Sequence, residues 1–303
     1  MKRDLQGKLC IVTGANTGIG KVTARELARA GATVVLACRS RQKTEEAMAD
    51  IRKDIPEADL EFLELDLASL ESVRNAANLF LESGRPIHLL INNAGLAGTR
   101  GTTKDGFELA FGVNHLGPYL FTRLLLERIV ESAPARIVNV SSKSHYDAKV
   151  FDLSGVRQRT KHVTGLPEYA LSKLSNVLFT IELDKRLQGS GVTTYALHPG
   201  VVASDVWRSV PWPVRSLIKL FMITNEEGAQ TTLHCALSEE AGEESGLYYE
   251  KSRPRKPSRL ARDPELPLKL WEKSAEWVGL DLDGQGESPR AASVRPTTGH
   301  SSV

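Results

Sequence analysis

Short apolar runs alternating with longer stretches of helical spacing constrain this chain more than any other feature. The runs are Leu9 to Thr13, Thr33 to Cys38, Leu60 to Leu65, Ile87 to Ile91, Arg136 to Ser141 and Val192 to Leu197. Each has the length of a strand and is apolar along both faces, as a parallel sheet covered by helices on both sides requires. Between them, Ala24-Leu27-Ala28, Val73-Ala76-Ala77-Phe80 and Leu124-Leu125-Arg128-Ile129 set apolar residues three and four apart, which gives each crossover helix one buried stripe. Gly31 and Gly191 stand just before strands, where a helix end favours a residue tolerant of the left-handed region. The pattern predicts an α/β chain with a Rossmann-type, doubly wound parallel sheet flanked by helices, folded as a single domain over residues 1–280.

The alternation stops after Gly200. Trp207, Pro211, Trp212 and Pro213 interrupt it, and then Glu226 to Leu237 and Pro264 to Val278 read as helices. The interruption, about 202–225, is rich in Val, Leu, Ile, Trp, Phe and Met. It reads as an apolar lid over a substrate pocket, as a helix packed on the sheet, or as a face that dips into a membrane surface. The run Lys251 to Arg262 holds six cations and no acid, so it is either a solvated face or a support for docking on an anionic surface. Beyond Gly279 large apolar residues almost vanish, and Asp281 to Val303 is expected to remain a disordered tail outside the fold.

Composition removes several function classes. With 41% hydrophobic and 25% charged residues the chain is an ordinary globular one, which excludes fibrous and wholly disordered types. Lys plus Arg number 39 against 37 Asp plus Glu, too even a balance to gather nucleic acid by a global field. Cys10, Cys38 and Cys235 are scattered and odd in number, which excludes a disulfide framework or a CxxC zinc site and fits a reducing compartment. The seven histidines include no H-E-x-x-H pairing, so no metal site is expected. His115 and His198 read as structural or pocket-lining. The charged start, Met1 to Lys8, leads into no long apolar stretch, so the expectation is a cytoplasmic protein.

The first run ends in Thr13-Gly14-Ala15-Asn16-Thr17-Gly18-Ile19-Gly20 and passes directly into a helix over Lys21 to Ala30. Glycine allows the tight turn and lets backbone approach a pyrophosphate, and the helix start offers unpaired N–H groups and a positive dipole end. Gly14, Asn16, Thr17, Gly18, Ile19 and Gly20 are therefore candidate dinucleotide contacts. The second run ends in Cys38-Arg39-Ser40, where an acidic residue would be expected for a ribose 2′-hydroxyl. Arg39 suits a 2′-phosphate instead, which favours NADP(H), with Ser40 beside it and Arg41 and Lys43 as possible helpers.

These motifs, together with Asp66-Leu67, Asn92-Asn93-Ala94-Gly95, Asn114-His115, Ser141-Ser142, Tyr169 with Lys173, and His198-Pro199-Gly200, resemble the short-chain dehydrogenases/reductases from Gly7 to about Gly279. Within that family, Val113-Asn-His-Leu-Gly117, Asn139-Val-Ser-Ser142 and Ala229 to Ala236 look most like the retinol dehydrogenase group. The resemblance implies that Asp66 and Leu67 flank an adenine and that Asn93, Ala94 and Gly95 line the cofactor groove. It also implies that Pro199, Gly200 and Val202 approach the nicotinamide, and that Lys173 hydrogen-bonds the cofactor ribose. Relatives in that group carry an N-terminal anchor that this sequence does not display, so membrane association through a removed anchor stays open.

Tyr169 and Lys173 lie four apart on a helix predicted over Glu168 to Leu187, which puts phenol and ammonium on one face. A neighbouring cation is expected to favour the phenolate and to make Tyr169 a proton donor and acceptor at working pH. The resemblance selects Ser142, not Ser141, as the serine that orients a substrate oxygen, and gives Asn114 the support of a water that leads to Lys173. No G-x-S-x-G elbow surrounds Ser142, which argues against a hydrolase. The reaction implied is hydride transfer between NADP(H) and a small lipophilic aldehyde, ketone or alcohol. A nucleotide-binding regulatory protein without turnover, and a fold relative catalysing epimerisation or dehydration, remain as alternatives. Family analogy adds a homodimer formed through the helices containing Tyr119 and Leu178.

Overall fold

The computed structural model describes residues 4–200 and 223–282. Its sheet has eight strands, β1 (Leu9–Thr13), β2 (Thr33–Cys38), β3 (Leu60–Glu64), β4 (Leu89–Asn92), β5 (Ala135–Val140), β6 (Val192–His198), β7 (Leu247–Glu250) and β8 (Arg253–Arg255). Their order is β3-β2-β1-β4-β5-β6-β7-β8. All pairs are parallel except β7 with β8, which is antiparallel. The first six match the six apolar runs; β7 and β8 add a hairpin that the spacing does not predict. Part of the basic run thus forms β8, and its six cations are all exposed.

The two faces of the sheet sort residues with a period of two. Leu9, Ile11, Val35 and Ala37 enter one buried cluster with helices α3 (Leu70–Glu82), α5 (Gly117–Glu131) and α6 (Leu166–Arg186). Cys10, Val12, Val34 and Leu36 enter the other, with α1 (Gly18–Arg29), α2 (Arg41–Asp54) and the helix Asn225–Leu237. Burial on both sides is what a continuous apolar run demands, since successive side chains point to opposite faces. Gly31 and Gly191 hold φ of 91° and 77°, the left-handed conformation expected of them. A short helix α4 (Leu109–Phe111) precedes α5, and between them Gly112–Leu116 widens into a π-helical turn.

The expected lid, about 202–225, lies almost wholly outside the described residues, as does the tail beyond 282. The first two tail positions correct the expectation. Arg123 donates to the Asp281 carbonyl at 2.8 Å, and Trp271 Nε1 donates to the Leu282 carbonyl at 3.3 Å. Trp271, on the helix Leu266–Val278, has the guanidinium carbons of Arg123 and Arg186 each 4.4 Å from its ring centre. Tyr119 is fully buried, donates to the Trp271 carbonyl at 3.1 Å and packs edge-on against the indole ring at 5.3 Å. Leu178 is equally buried. Both residues, which mark the two helices expected to form a dimer, are therefore buried within the chain. His115, read as structural, bonds Ser274 of the same covering helix at 3.0 Å.

Removing the indole should open this clamp. Trp271→Ala is expected to lower the unfolding free energy by about 3 to 5 kcal/mol in urea melts; a loss below about 1 kcal/mol would show that the helix Leu266–Val278 is held by other contacts.

Candidate active site

Strand order reverses between β1 and β4, so the segments that leave their carboxyl ends part company and open a crevice, the usual ligand position in such sheets. The turn Gly14 to Ile19 forms one wall. Gly14 sits at φ 65°, and a Cβ there would lie 2.9 Å from Ala94 Cα; at Gly20 it would lie 2.4 Å from Asn93 Nδ2. The Thr13 hydroxyl accepts the N–H groups of Asn93 and Ala94, both at 3.0 Å, and Asn93 Nδ2 donates to the Thr13 carbonyl at 2.9 Å. The Ala15 N–H is taken by Cys38 Sγ at 3.2 Å.

Helices α2 and α3 begin with serines, Ser40 and Ser69, whose side chains accept a backbone N–H from the first turn. Thr17 at the start of α1 makes no such bond, and no acid lies in that first turn. The helix thus presents unsatisfied N–H groups and a positive end to the cleft, a fit for a phosphate. Arg39 lies exposed at the end of β2 and lines the same cleft with Ser40 and Lys43. Arg41 is turned aside, 4.5 Å from the Phe62 ring centre and 3.6 Å from Glu45, and is not part of the lining.

Asp66, Leu67, Asn93, Ala94, Gly95, Pro199 and Gly200 complete the wall, with Ser142, Tyr169 and Lys173 at the inner end. The cleft measures about 1390 Å³, above the roughly 300–1,000 Å³ that holds one drug-sized ligand. It has space for a dinucleotide and a second molecule. Asn114 stands one layer behind. Its Oδ1 accepts from Leu96 N at 2.8 Å, and its Nδ2 donates to the Leu96 carbonyl at 2.9 Å and to Ser172 Oγ at 3.0 Å. The π turn that carries it fits a polar residue forced to face inward, the setting in which such turns recur at functional sites. Val202 lies outside the described residues.

Tyr169, Lys173 and Ser142 are all buried. Ser142 stands beside the Tyr169 phenol and favours its ionised form, with Oγ accepting the Ser144 N–H at 3.1 Å, whereas Ser141 Oγ is committed to the Lys173 carbonyl at 2.7 Å. Lys173 Nζ is 5.7 Å from the Tyr169 ring centre and donates to the Val140 carbonyl at 2.8 Å. Burial dominates both groups. It pushes the Tyr169 phenol up, only partly offset by Ser142, and brings the Lys173 ammonium down to about 8. Lys173 is not among the causes acting on the phenol at this distance: burial, which takes both groups out of water, comes first at each. The phenol is left protonated.

Several supporting groups carry weaker sequence signals or none. The Val140 carbonyl has none, because its role depends on strand register. Ser172 could have been found one residue before Lys173. Thr13 and Cys38 adjoin motifs already singled out, and His145, three residues beyond Ser142, bonds the Ser142 carbonyl at 2.7 Å. His198 lines the cleft, as a pocket histidine should, and burial lowers its pKa to about 4.

A doubly wound sheet with a glycine-lined, uncapped helix at its carboxyl ends and a buried Tyr–Lys–Ser cluster beside it defines a dinucleotide-dependent oxidoreductase domain. The short chain dehydrogenase family profile matches residues 8–212. Retinol dehydrogenase 12 of Mus musculus is 46% identical over 287 residues, covering 92% of this chain and 89% of its own. Retinol dehydrogenase 13 of Homo sapiens is 42% identical over 297 residues, covering 95% and 89%. Among solved structures, an uncharacterised protein from Mycobacterium paratuberculosis is 32% identical with a TM-score of 0.75, covering 93% of this chain and 97% of that one. The 3-ketoacyl-(acyl-carrier-protein) reductase of Brucella melitensis complexed with NADH shares the fold at 22% identity and a TM-score of 0.63, covering 80% and 96%. The chain belongs to the short-chain dehydrogenase family and is an oxidoreductase of the kind that uses a nicotinamide cofactor. Among the described residues, no helix is long and apolar enough to cross a membrane.

Because Lys173 holds its charge against burial, replacing it should stabilise the fold while disabling the site. Its penalty is fully present below pH about 8 and fades towards the unfolded-state value of 10.5, where both states are losing the proton. Lys173→Met is expected to gain about 1 to 3 kcal/mol at pH 7, with the gap closing by about pH 10 in melting experiments. Destabilisation at pH 7 would refute the desolvation account.

Proposed function

We propose that this chain is an NADP(H)-dependent alcohol dehydrogenase or carbonyl reductase that moves a hydride between nicotinamide and the carbonyl or alcohol carbon of a lipophilic substrate. The observation that carries this reading is the shared cleft: Ser142, Tyr169 and Lys173 line one end, and the uncapped start of α1 with Arg39 lines the other. Nicotinamide, when bound, supplies or accepts the hydride.

The protein's own groups then do the rest. Tyr169, protonated and buried, donates its phenolic proton to the oxygen of a carbonyl being reduced, and takes a proton from an alcohol being oxidised. Ser142, beside that phenol, orients the same oxygen and stabilises its developing charge. Lys173, held between the Val140 carbonyl and Gly95, is placed to bond a ribose hydroxyl; a Cβ at Gly95 would come within 3.3 Å of Nζ. Asn114 fixes the Leu96 backbone beside it.

Lipophilic specificity draws support from Leu96, Leu109, Val113 and Tyr146 along the inner cleft, and from the relatives named retinol dehydrogenases, which favour a retinol- or retinal-like molecule. The domain in this reading is residues 1–280. The exposed cations between Lys251 and Arg262 support peripheral contact of a cytoplasmic protein with an anionic surface. Any homodimer uses a surface other than the buried faces of Tyr119 and Leu178.

Oxidation of NADPH should be followed with retinal and with aliphatic and aromatic aldehydes. Tyr169→Phe is expected to lower kcat by about 100-fold or more with NADPH affinity retained; an unchanged kcat would remove Tyr169 from the proton transfer. In Arg39→Asp, preference should move from NADPH towards NADH by about 10- to 100-fold, the value of one charge-assisted hydrogen bond. An unaltered ratio of kcat/KM for the two cofactors would exclude Arg39 as the phosphate reader.

A further inference from the structure

His145 is completely buried on the short turn after Ser142, and the mechanism above gives it no part. Its contacts are specific. Nδ1 lies 2.7 Å from the Ser142 carbonyl oxygen, which also accepts the His145 backbone N–H at 3.1 Å. Nε2 lies 3.1 Å from the backbone nitrogen of Ser258. A carbonyl accepts and an N–H donates, so Nδ1 carries the proton and Nε2 is bare: the ring is neutral, in one tautomer. Burial, which lowers the histidine pKa, favours the same state.

The ring is also gripped from its faces. Tyr146 lies 4.0 Å away between centroids and Tyr248 lies 4.6 Å away, edge-on. Tyr146 in turn donates to the Lys256 carbonyl at 2.7 Å. The residue thus links two pieces of chain more than a hundred positions apart: the turn that begins at Ser142, and the segment just after β8. Of the other buried histidines, His115 bonds Ser274, and His198 lines the cleft near Lys143 and His145.

The geometry points to His145 as a positioning residue for the proposed reaction: its imidazole holds the Ser142 backbone from behind the cleft and anchors it to Ser258, keeping the Ser142 hydroxyl aimed at Tyr169. This inference rests on the role given to Ser142 under Proposed function. A displacement of about one ångström at such a site can cost about 100-fold in rate. The bond to the Ser142 carbonyl is the part that matters, so replacements that keep one nitrogen or the other have opposite consequences.

The test uses the full chain and an aldehyde it reduces. His145→Phe keeps the ring packing and removes both nitrogens; it should lower kcat about 10- to 100-fold while leaving NADPH affinity unchanged. His145→Asn, whose amide reaches the Nδ1 position, should recover most of that rate, and His145→Gln, whose amide reaches the Nε2 position, should not. Added to Ser142→Ala, His145→Phe should cost nothing further, because two residues acting through one hydroxyl are not additive. In the unmodified protein, nitrogen NMR of labelled histidine should find His145 neutral with the proton on Nδ1. Full activity in His145→Phe, additive losses, better rescue by Gln than by Asn, or the opposite tautomer would each overturn the proposal. If Ser142→Ala alone leaves kcat intact, the assignment of Ser142 falls and this inference with it; if Ser142→Ala is slow and His145→Phe is not, only this inference falls.

Discussion

A buried chain of side-chain hydrogen bonds fixes the three pieces of backbone on which the site depends. Asn92, last residue of β4, donates to Asn139 Oδ1 and to Thr122 Oγ1, both at 2.9 Å; Asn139 of β5 donates to Thr180 of α6, also at 2.9 Å. Thr180 then donates to the Asn176 carbonyl one turn earlier on the same helix. Each member is buried, so a slip of one residue in β4, β5 or α6 would leave amide groups without partners at a cost of about 1 to 3 kcal/mol each. Asn92 leads directly into Asn93-Ala94-Gly95, Asn139 stands two residues before Ser141-Ser142, and α6 carries Tyr169 and Lys173. Apolar packing alone tolerates sliding; these polar contacts specify one register.

The site is legible in sequence wherever its chemistry resides in side chains at short spacing. Gly14 to Gly20, Tyr169 with Lys173, and Ser142 all line one cleft as their motifs suggest. Six strands are legible because each is a run apolar on both faces. The hairpin of β7 and β8 is not, for two physical reasons. Its turn is Lys251-Ser252, with φ of 53° and 57° and none of the Asn or Gly residues that normally advertise such a turn. Its outer strand, Arg253-Pro254-Arg255, is fully exposed and lies at the sheet edge, where proline and charge are tolerated but where no apolar run is needed.

Long-range cover is the other blind spot. Nothing in the spacing of Trp271 reveals that two arginines from separate helices flank its ring, or that the chain just after it is tied down through the carbonyls of Asp281 and Leu282. The helices of Tyr119 and Leu178 look free to pair with a second copy when each is considered in isolation. Within this chain the helix Leu266–Val278 packs against both, with Trp271 meeting Tyr119 and Phe179. Likewise the spacing of Tyr169 and Lys173 suggests a two-body attraction, although the larger effect comes from the sheet and helices that exclude water around both.

That exclusion explains why the site is built with an excess of positive character. The start of α1 lacks a capping side chain, Lys173 is buried with a carbonyl but no carboxylate beside it among the described residues, and Arg39 extends into the same cleft. The unsatisfied donors and the desolvated lysine are burdens on the folded state, since both destabilise it. A ligand bearing several negative charges along its length relieves both and can pair with the exposed Arg39 as well, and a neutral one does neither. The fold therefore spends part of its stability on a preference for a polyanionic cofactor. The same desolvation that penalises Lys173 keeps the Tyr169 phenol protonated, the state that the proposed proton transfer requires.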